Sequence, residues 1–314
     1  MKSRVHPTYK THYRVGNWRV YERALVSRGD VTLWLSPEAR AAWIVPPSGR
    51  PGGQQRFSDV AIKTALTLRL LFRMPLRQTE GFVRSILTVM RAGLDAPDHT
   101  TLSRRSQLLD VVVHNIPATG PLHLIVDSTG LSVVGEGEWA ATKHGGRGRR
   151  GWKKLHLGVD RSGVIVAHVL TEATVDDATV GIDLIGAAVG DIASVTADAA
   201  YDTVAFYEAA SGRHAQVVVP PIMTARVSRH GPRSTARDRT ITDVETLGRR
   251  QWQKASGYHR QARVENAFFR YKSIIGDGLL ARSVSGRDVE ASLACRILNQ
   301  MTALGRPESH AISR

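Results

Sequence analysis

Leu122-His-Leu-Ile-Val-Asp-Ser-Thr-Gly130 runs from branched apolar residues straight into an acid and then into turn formers. A short apolar run bounded by turn residues reads as a buried strand. An aspartate at its end is unusual, because an unpaired carboxylate is costly to bury. Two more strands are expected just downstream, at 155–159 and 164–170, joined by the hairpin turn Asp160-Arg-Ser-Gly163. Helical periodicity follows at 176–189, a strand at 194–197, a helix at 204–210, and a strand at 216–219 closed by Pro220-Pro221. A long helix ends the order. Three strands, helix, strand, helix, strand and helix predict an α/β domain built on a mixed sheet.

Upstream of position 121 the texture is helical. Ser58 is placed to cap a helix in which Val60, Ile62, Ala65, Leu66, Leu70 and Leu71 recur at helical spacing. A second helix is expected over 76–92, stopped by Gly93, and a third over 101–113. Arg104 and Arg105 near the start of the third admit a helix-turn-helix, although the connection is longer than the usual three or four residues. A plain helical bundle is the alternative. Residues 1–45 carry Tyr9, Tyr13, Trp18, Tyr21, Trp34 and Trp43 among bases, and the Pro- and Gly-rich 46–55 reads as a linker.

Charge points to the partner. The 314 residues hold 43 Lys and Arg against 28 Asp and Glu, a net +15, with a pI near 10.6. Such a surplus repels itself unless a polyanion accompanies it, which means nucleic acid or an anionic membrane. Codon bias explains why only 8 of the 43 bases are Lys, but not the surplus. No run approaches the ~20 apolar residues of a membrane helix, and residues 1–10 lack the apolar core of a signal peptide. DNA is therefore the expected partner, with no membrane, and the cytoplasm, on the nucleoid, the expected location. The lone Cys295 sits in an apolar helical stretch and reads as a core residue, since no Cys/His cluster has zinc spacing.

Two basic stretches are candidate DNA contacts. Residues 143–154 hold six bases and no acid, with Lys143, Arg149, Arg150, Lys153 and Lys154 as the expected phosphate contacts; a solvated hairpin is the alternative. Trp152 reads as packed under that hairpin, or as a stacking platform for a base. Residues 224–250 hold seven Arg and three acids and read as a flexible or partly ordered insertion.

Three acids stand out. Moving phosphodiesters requires an activated hydroxyl and a stabilised leaving oxygen, which two divalent ions ~3.5–4 Å apart can serve, and hard cations take carboxylate oxygens. Asp127 lies in or at the end of the first strand and Asp198 follows the fourth, so both emerge near one edge of a sheet; for each, a turn cap is an equal alternative. Glu265 lies in a helix. Tyr258 is seven residues before it and Lys272 seven after, so on an ideal helix Tyr258, Gln261, Glu265 and Lys272 share one face, with Phe268 and Phe269 beside it for packing. Asp160 and Asp176 read as caps, Asp202 as a support or cap, and Asp183 and Asp191 as solvated.

On these residues the chain resembles the DDE transposases of bacterial insertion sequences, in the branch marked by Tyr-x2-Arg-x3-Glu-x6-Lys. The insertion-sequence-5-like group is the most similar. The resemblance takes in 57–71, 75–81, 97–104, Val126-Asp-Ser-Thr-Gly130, Thr196-Ala-Asp-Ala-Ala-Tyr-Asp202 and 265–276. It implies a ribonuclease-H-like catalytic domain preceded by a helical N-terminal domain. Asp127, Asp198 and Glu265 would hold two Mg²⁺ or Mn²⁺ ions, and Tyr258 and Lys272 would touch DNA near the scissile phosphate. Position 261 departs from the pattern: Gln261 can bond a phosphate oxygen but carries no charge. The expected division is a basic and aromatic segment with linker at 1–56, a helical DNA-binding domain at 57–118, the catalytic domain at 119–304 with its insertion at 224–250, and a tail at 305–314. The expected activity is cleavage at terminal inverted repeats of double-stranded DNA and strand transfer to a target, by a homodimer or larger assembly. A hydrolytic nuclease and a non-catalytic DNA-binding protein are the rivals.

Overall fold

The computed structural model describes residues 12–46, 49, 51–113, 120–134, 151–228 and 234–312. The chain opens with a short strand β1 (His12–Val15) and helices α1 (Trp18–Ser27), α2 (Val31–Trp34) and α3 (Pro37–Ala41). Trp34, Leu35 and Trp43 are buried, and the Trp43 indole N–H donates to the Asp95 carbonyl at 2.8 Å. Trp34 and Trp43 thus dock this segment onto the rest of the molecule, whereas Tyr13 and Trp18 are exposed.

Helices α4 (Asp59–Leu71), α5 (Leu76–Val89) and α6 (His99–Arg105) follow. Ser58 caps α4 by accepting the Ala61 N–H at 3.1 Å. Asp98 caps α6 by accepting from the Thr100 and Thr101 N–H groups, both at 2.9 Å, so this helix starts two residues before the expected point. It also stops at Arg105 rather than at 113. The chain turns at 106–108 and is no longer helical when it reaches Val111-Val-Val113, residues that lose side-chain freedom in a helix.

The sheet comes next. Its strands are β2 (Leu122–Val133), β3 (Trp152–Val159) and β4 (Ile165–Glu172), then α7 (Asp177–Ala187), β5 (Ile192–Thr196), α8 (Val204–Gly212) and β6 (Gln216–Val218). Helices α9 (Thr235–Leu247) and α10 (Arg249–Ala255) order much of the stretch 224–250, which was expected to be flexible or partly ordered. Their order has an internal cause: Thr240, Ile241 and Trp252 are buried, and Arg237 clamps Asp202 with bonds of 2.7 and 3.0 Å. The chain continues through α11 (Ala262–Arg270), the two-residue β7 (Gly278–Leu279), the long α12 (Val284–Leu304) and β8 (Ser309–Ile312), which pairs antiparallel with β1.

Strand order is β4-β3-β2-β5-β6, with β7 beside the far end of β2. Strand β3 runs antiparallel to both of its neighbours, β2 and β4, whereas β5 and β7 run parallel to β2 and β6 parallel to β5. Side chains alternate across a strand, and β2 divides accordingly. Leu124 and Val126 join a core with α7 and α8 on one face. Ile125, Leu131 and Val133 join a second core on the other face, with α4, α5, α11 and α12. By the same alternation Asp127 belongs to the face that α11 covers.

Candidate active site

Asp127 sits mid-strand, opposite Leu157 of β3. Its Oδ1 accepts the Ser128 N–H at 2.8 Å. Asp198 follows the end of β5 and caps a 3-10 turn, Ala199–Tyr201, by accepting the Ala200 N–H at 2.9 Å. Glu265 stands exposed in the first turn of α11, whose Val264, Ala267 and Phe268 are buried against the sheet. Phe269, 100° further round, is exposed rather than packed.

Electrostatics join the three acids. Burial, joined by the charges of Asp198, Glu265 and Asp177 and opposed by the Ser128 hydrogen bond, pushes the Asp127 carboxyl up to about 6. Burial and the Asp177 charge also raise Asp198. Tyr258 is raised to about 12 by burial and then by Asp198, Asp127 and Glu265. Its ring lies 6.3 Å, centroid to centroid, from the buried Trp252. The middle of one strand, one strand-to-turn junction and one helix therefore bring their acids into a single field.

Among the described residues, no three acid, imidazole or thiol side chains are gathered tightly enough to share an ion as they lie. The donor chemistry nonetheless fits a hard cation, because every candidate donor is a carboxylate oxygen. A raised carboxyl crowded by like charges is also the state that a divalent cation would relieve.

The helix carrying Glu265 is not the uniform α-helix that the sequence spacing assumes. A 3-10 turn, Tyr258–Gln261, precedes it and a π turn, Tyr271–Ile275, ends it. The phase relating Tyr258 to Lys272 is therefore set by three different pitches. Lys272 is exposed and Tyr258 half-buried. Gln261 is buried, and its Nε2 donates to the Val126 carbonyl at 3.1 Å. This corrects the expected phosphate contact: position 261 is turned into the sheet.

Three of the expected DNA-contacting bases are likewise engaged inside the protein. Lys153 is buried and paired with Glu172. Lys154 donates to Asp177 at 3.1 Å and to the Val175 carbonyl at 2.9 Å. Arg105 bonds the Phe57 carbonyl at 2.9 Å and pairs with Asp59. Their partners lie on other elements, invisible to local reading. Arg104 is exposed on α6. Lys143, Arg149 and Arg150 fall outside the described residues. Trp152 lies over Gly130, where a Cβ would come within 3.2 Å of its ring, and stays about half exposed. It packs against the backbone of β2 with part of the ring open, while most of the hairpin it was expected to lie under, 135–150, falls outside the described residues.

Sequence reasoning missed a supporting layer. Asp177, directly after the capping Asp176, adds its charge to both Asp127 and Asp198. The fully buried His156 has Nδ1 3.8 Å from Asp177, while its Nε2 is 2.9 Å from the Thr171 hydroxyl. Burial lowers its pKa, which favours the neutral ring. Tyr201 is buried with its hydroxyl unpartnered, and burial followed by Asp127, Asp177 and Asp198 raises its pKa. The doubled Asp176-Asp177 was the one available signal. The expected caps hold: Asp160 accepts from Ser162 and Val164, and Asp176 from Thr179. Asp202, read as a support or cap, is buried, pairing with Arg237 and accepting the Ile222 N–H. Asp183 and Asp191 are exposed.

Two family models described as "Transposase DDE domain" match, one over residues 26–136 and the other over 118–300. The chain belongs to the DDE transposases. It is thus a metal-dependent enzyme of DNA cutting and strand transfer, acting in transposition and DNA recombination. Asp127 lies within both matched regions of this transposase, and Asp198 and Glu265 within the second. No solved structure matches the chain. No helix of the described residues is long and apolar enough to cross a membrane.

Proposed function

We propose that this transposase cleaves DNA at the terminal inverted repeats of an insertion-sequence-5-like element and transfers the freed strand to target DNA. Asp127, Asp198 and Glu265 are the catalytic carboxylates in this reading. The single observation that carries it is the shared field in which Asp198 and Glu265 both raise half-buried Asp127. The strand order β4-β3-β2-β5-β6, antiparallel on one side of β2 and parallel on the other, supports a ribonuclease-H-like catalytic domain at 119–304. Helices α4 to α6 would form the DNA-reading part at 57–118.

Two Mg²⁺ or Mn²⁺ ions, when bound, supply hydroxyl activation and leaving-oxygen stabilisation. The chain's own part is to hold three carboxylates in a partly dry cleft and to position DNA. Exposed Lys272 and half-buried Tyr258 would engage the phosphates flanking the cut, and Arg104 a phosphate further off. Joining two ends calls for a homodimer or larger assembly on double-stranded DNA, acting on the nucleoid in the cytoplasm.

The test is strand cleavage of DNA carrying the gene's own flanking repeats, with Mg²⁺ or Mn²⁺. Wild type is expected to cut at the repeat ends, and Asp127→Ala, Asp198→Ala and Glu265→Ala to bind without cutting. Binding with no cutting by wild type in either metal would overturn the proposal.

A further inference from the structure

We propose that Gln261 is the positioning residue of Asp127, an inference that rests on the carboxylate reading above. Strand β2 is flanked by β5 only as far as the pair Ile125↔Thr196 and meets β7 only from Ser132. Between these points its edge lacks a strand partner among the described residues, and Asp127 lies in that gap. The direction of the backbone groups can be followed along the strand. The Leu122 N–H bonds the Asp191 carbonyl at 2.7 Å and the Ser132 N–H bonds the Asp277 carbonyl at 2.8 Å, both on this edge. Residues two apart repeat their direction, so Val126 and Ser128 also aim their peptide groups into the gap.

Side chains bind both of those groups. The Val126 carbonyl accepts from Gln261 Nε2 at 3.1 Å, and the Ser128 N–H donates to Asp127 itself at 2.8 Å. Gln261 thus anchors the peptide entering Asp127, while the aspartate anchors the peptide leaving it. The 3-10 turn that carries Gln261 packs against both β2 and β5 and leads directly into the helix of Glu265. One amide therefore ties the strand of the first acid to the element of the third. The cost is visible: Gln261 Oε1 is buried with no hydrogen-bond partner. An apolar side chain at this position would relieve that orphaned oxygen but leave the Val126 carbonyl without its donor.

Gln261→Met preserves length and removes both the donor and the orphaned acceptor. Mn²⁺ binding without DNA, measured by calorimetry, and the kcat and KM of repeat-end cutting are compared with wild type, together with metal-free melting. Removing the orphaned Oε1 and leaving the Val126 carbonyl without its donor offset one another, so the melting temperature is expected to stay within a few degrees of that of wild type. Mn²⁺ affinity and kcat fall by about 10–100-fold, as for other residues that orient metal-binding side chains, while KM for DNA stays within about twofold. Gln261→Leu, smaller and equally unable to donate, serves if methionine does not fit. Unchanged Mn²⁺ affinity and kcat would overturn the inference, as would a rise in KM alone, which would return position 261 to DNA contact. Asp127→Ala in the same assays keeps the two readings apart. If it abolishes Mn²⁺ binding and cutting while Gln261→Met does nothing, only the positioning role fails. If Asp127→Ala is itself silent, the carboxylate reading fails.

Discussion

Consider what Asp127 does to the protein in the absence of divalent ions. Its folded-state carboxyl sits at about 6 through burial and neighbouring acids, above the ordinary 3.8. Between those values the native state binds more protons than the unfolded chain, so stability falls as pH rises through that window. The loss is complete above about pH 6 and, allowing for partial exposure, is on the order of 2 kcal/mol. Asp127→Asn keeps the acceptor for Ser128 and removes the charge. Metal-free melting of this variant at pH 7.5 should lie about 2–4 °C above wild type, the gap closing near pH 4, with cutting abolished. Equal melting curves at pH 7.5 would show that the strain is absent. Asp127 and Asp198 were legible because each acid ends an apolar run, a pattern with a local signature. The inward turn of Gln261 was not, because whether a polar side chain meets phosphate or a backbone carbonyl depends on residues 135 positions away.

At the scale of elements, the supporting layer beneath the acids depends on how closely α7 approaches. A Cβ at Gly181 would fall 2.7 Å from Phe206 and 2.8 Å from Tyr201, both buried and ring-packed at 5.3 Å. Gly181→Ala must therefore push the turn that carries Asp198 away from α7. Overpacking of this kind costs about 1–3 kcal/mol, and cutting should fall more steeply than a stability loss of that size explains. A variant that melts lower yet cuts at the wild-type rate would uncouple α7 from the site. The bases of β3 illustrate the limit of local reading. Residues 143–154 look like one basic tract, yet Lys153 and Lys154 meet Glu172 and Asp177 only after β4 and α7 fold back. Lys154→Ala should accordingly destabilise the protein while leaving the salt dependence of DNA binding unchanged. Arg104→Ala should leave stability alone and reduce that slope by about one. The reverse pattern, in a salt titration of binding, would restore Lys154 as a phosphate contact.

At the scale of the molecule, the expected boundary near residue 118 does not divide the packing. The core on the α11 face of the sheet runs without interruption from Trp34 and Trp43 through Leu66, Leu87 and Leu102 to Leu155, Phe268 and Leu298. Arg69 of α4 faces Glu290 of α12 at 3.8 Å, both nearly buried. The helices ahead of the sheet thus complete the hydrophobic layer that holds the Glu265 helix in place. Their helical pattern was readable from the chain, but which surface they cover was not, since amphipathic spacing identifies an apolar face and not its partner. A shared core predicts one cooperative unfolding transition. Leu102, fully buried on α6, lies far in sequence from the acids, and Leu102→Ala should cost about 2–5 kcal/mol. The cost should appear as one shifted transition in which tryptophan fluorescence, far-ultraviolet dichroism and loss of cutting coincide. Two separated transitions, with cutting retained after the first, would mean that the helices at 57–118 unfold on their own and that the catalytic sheet stands without them.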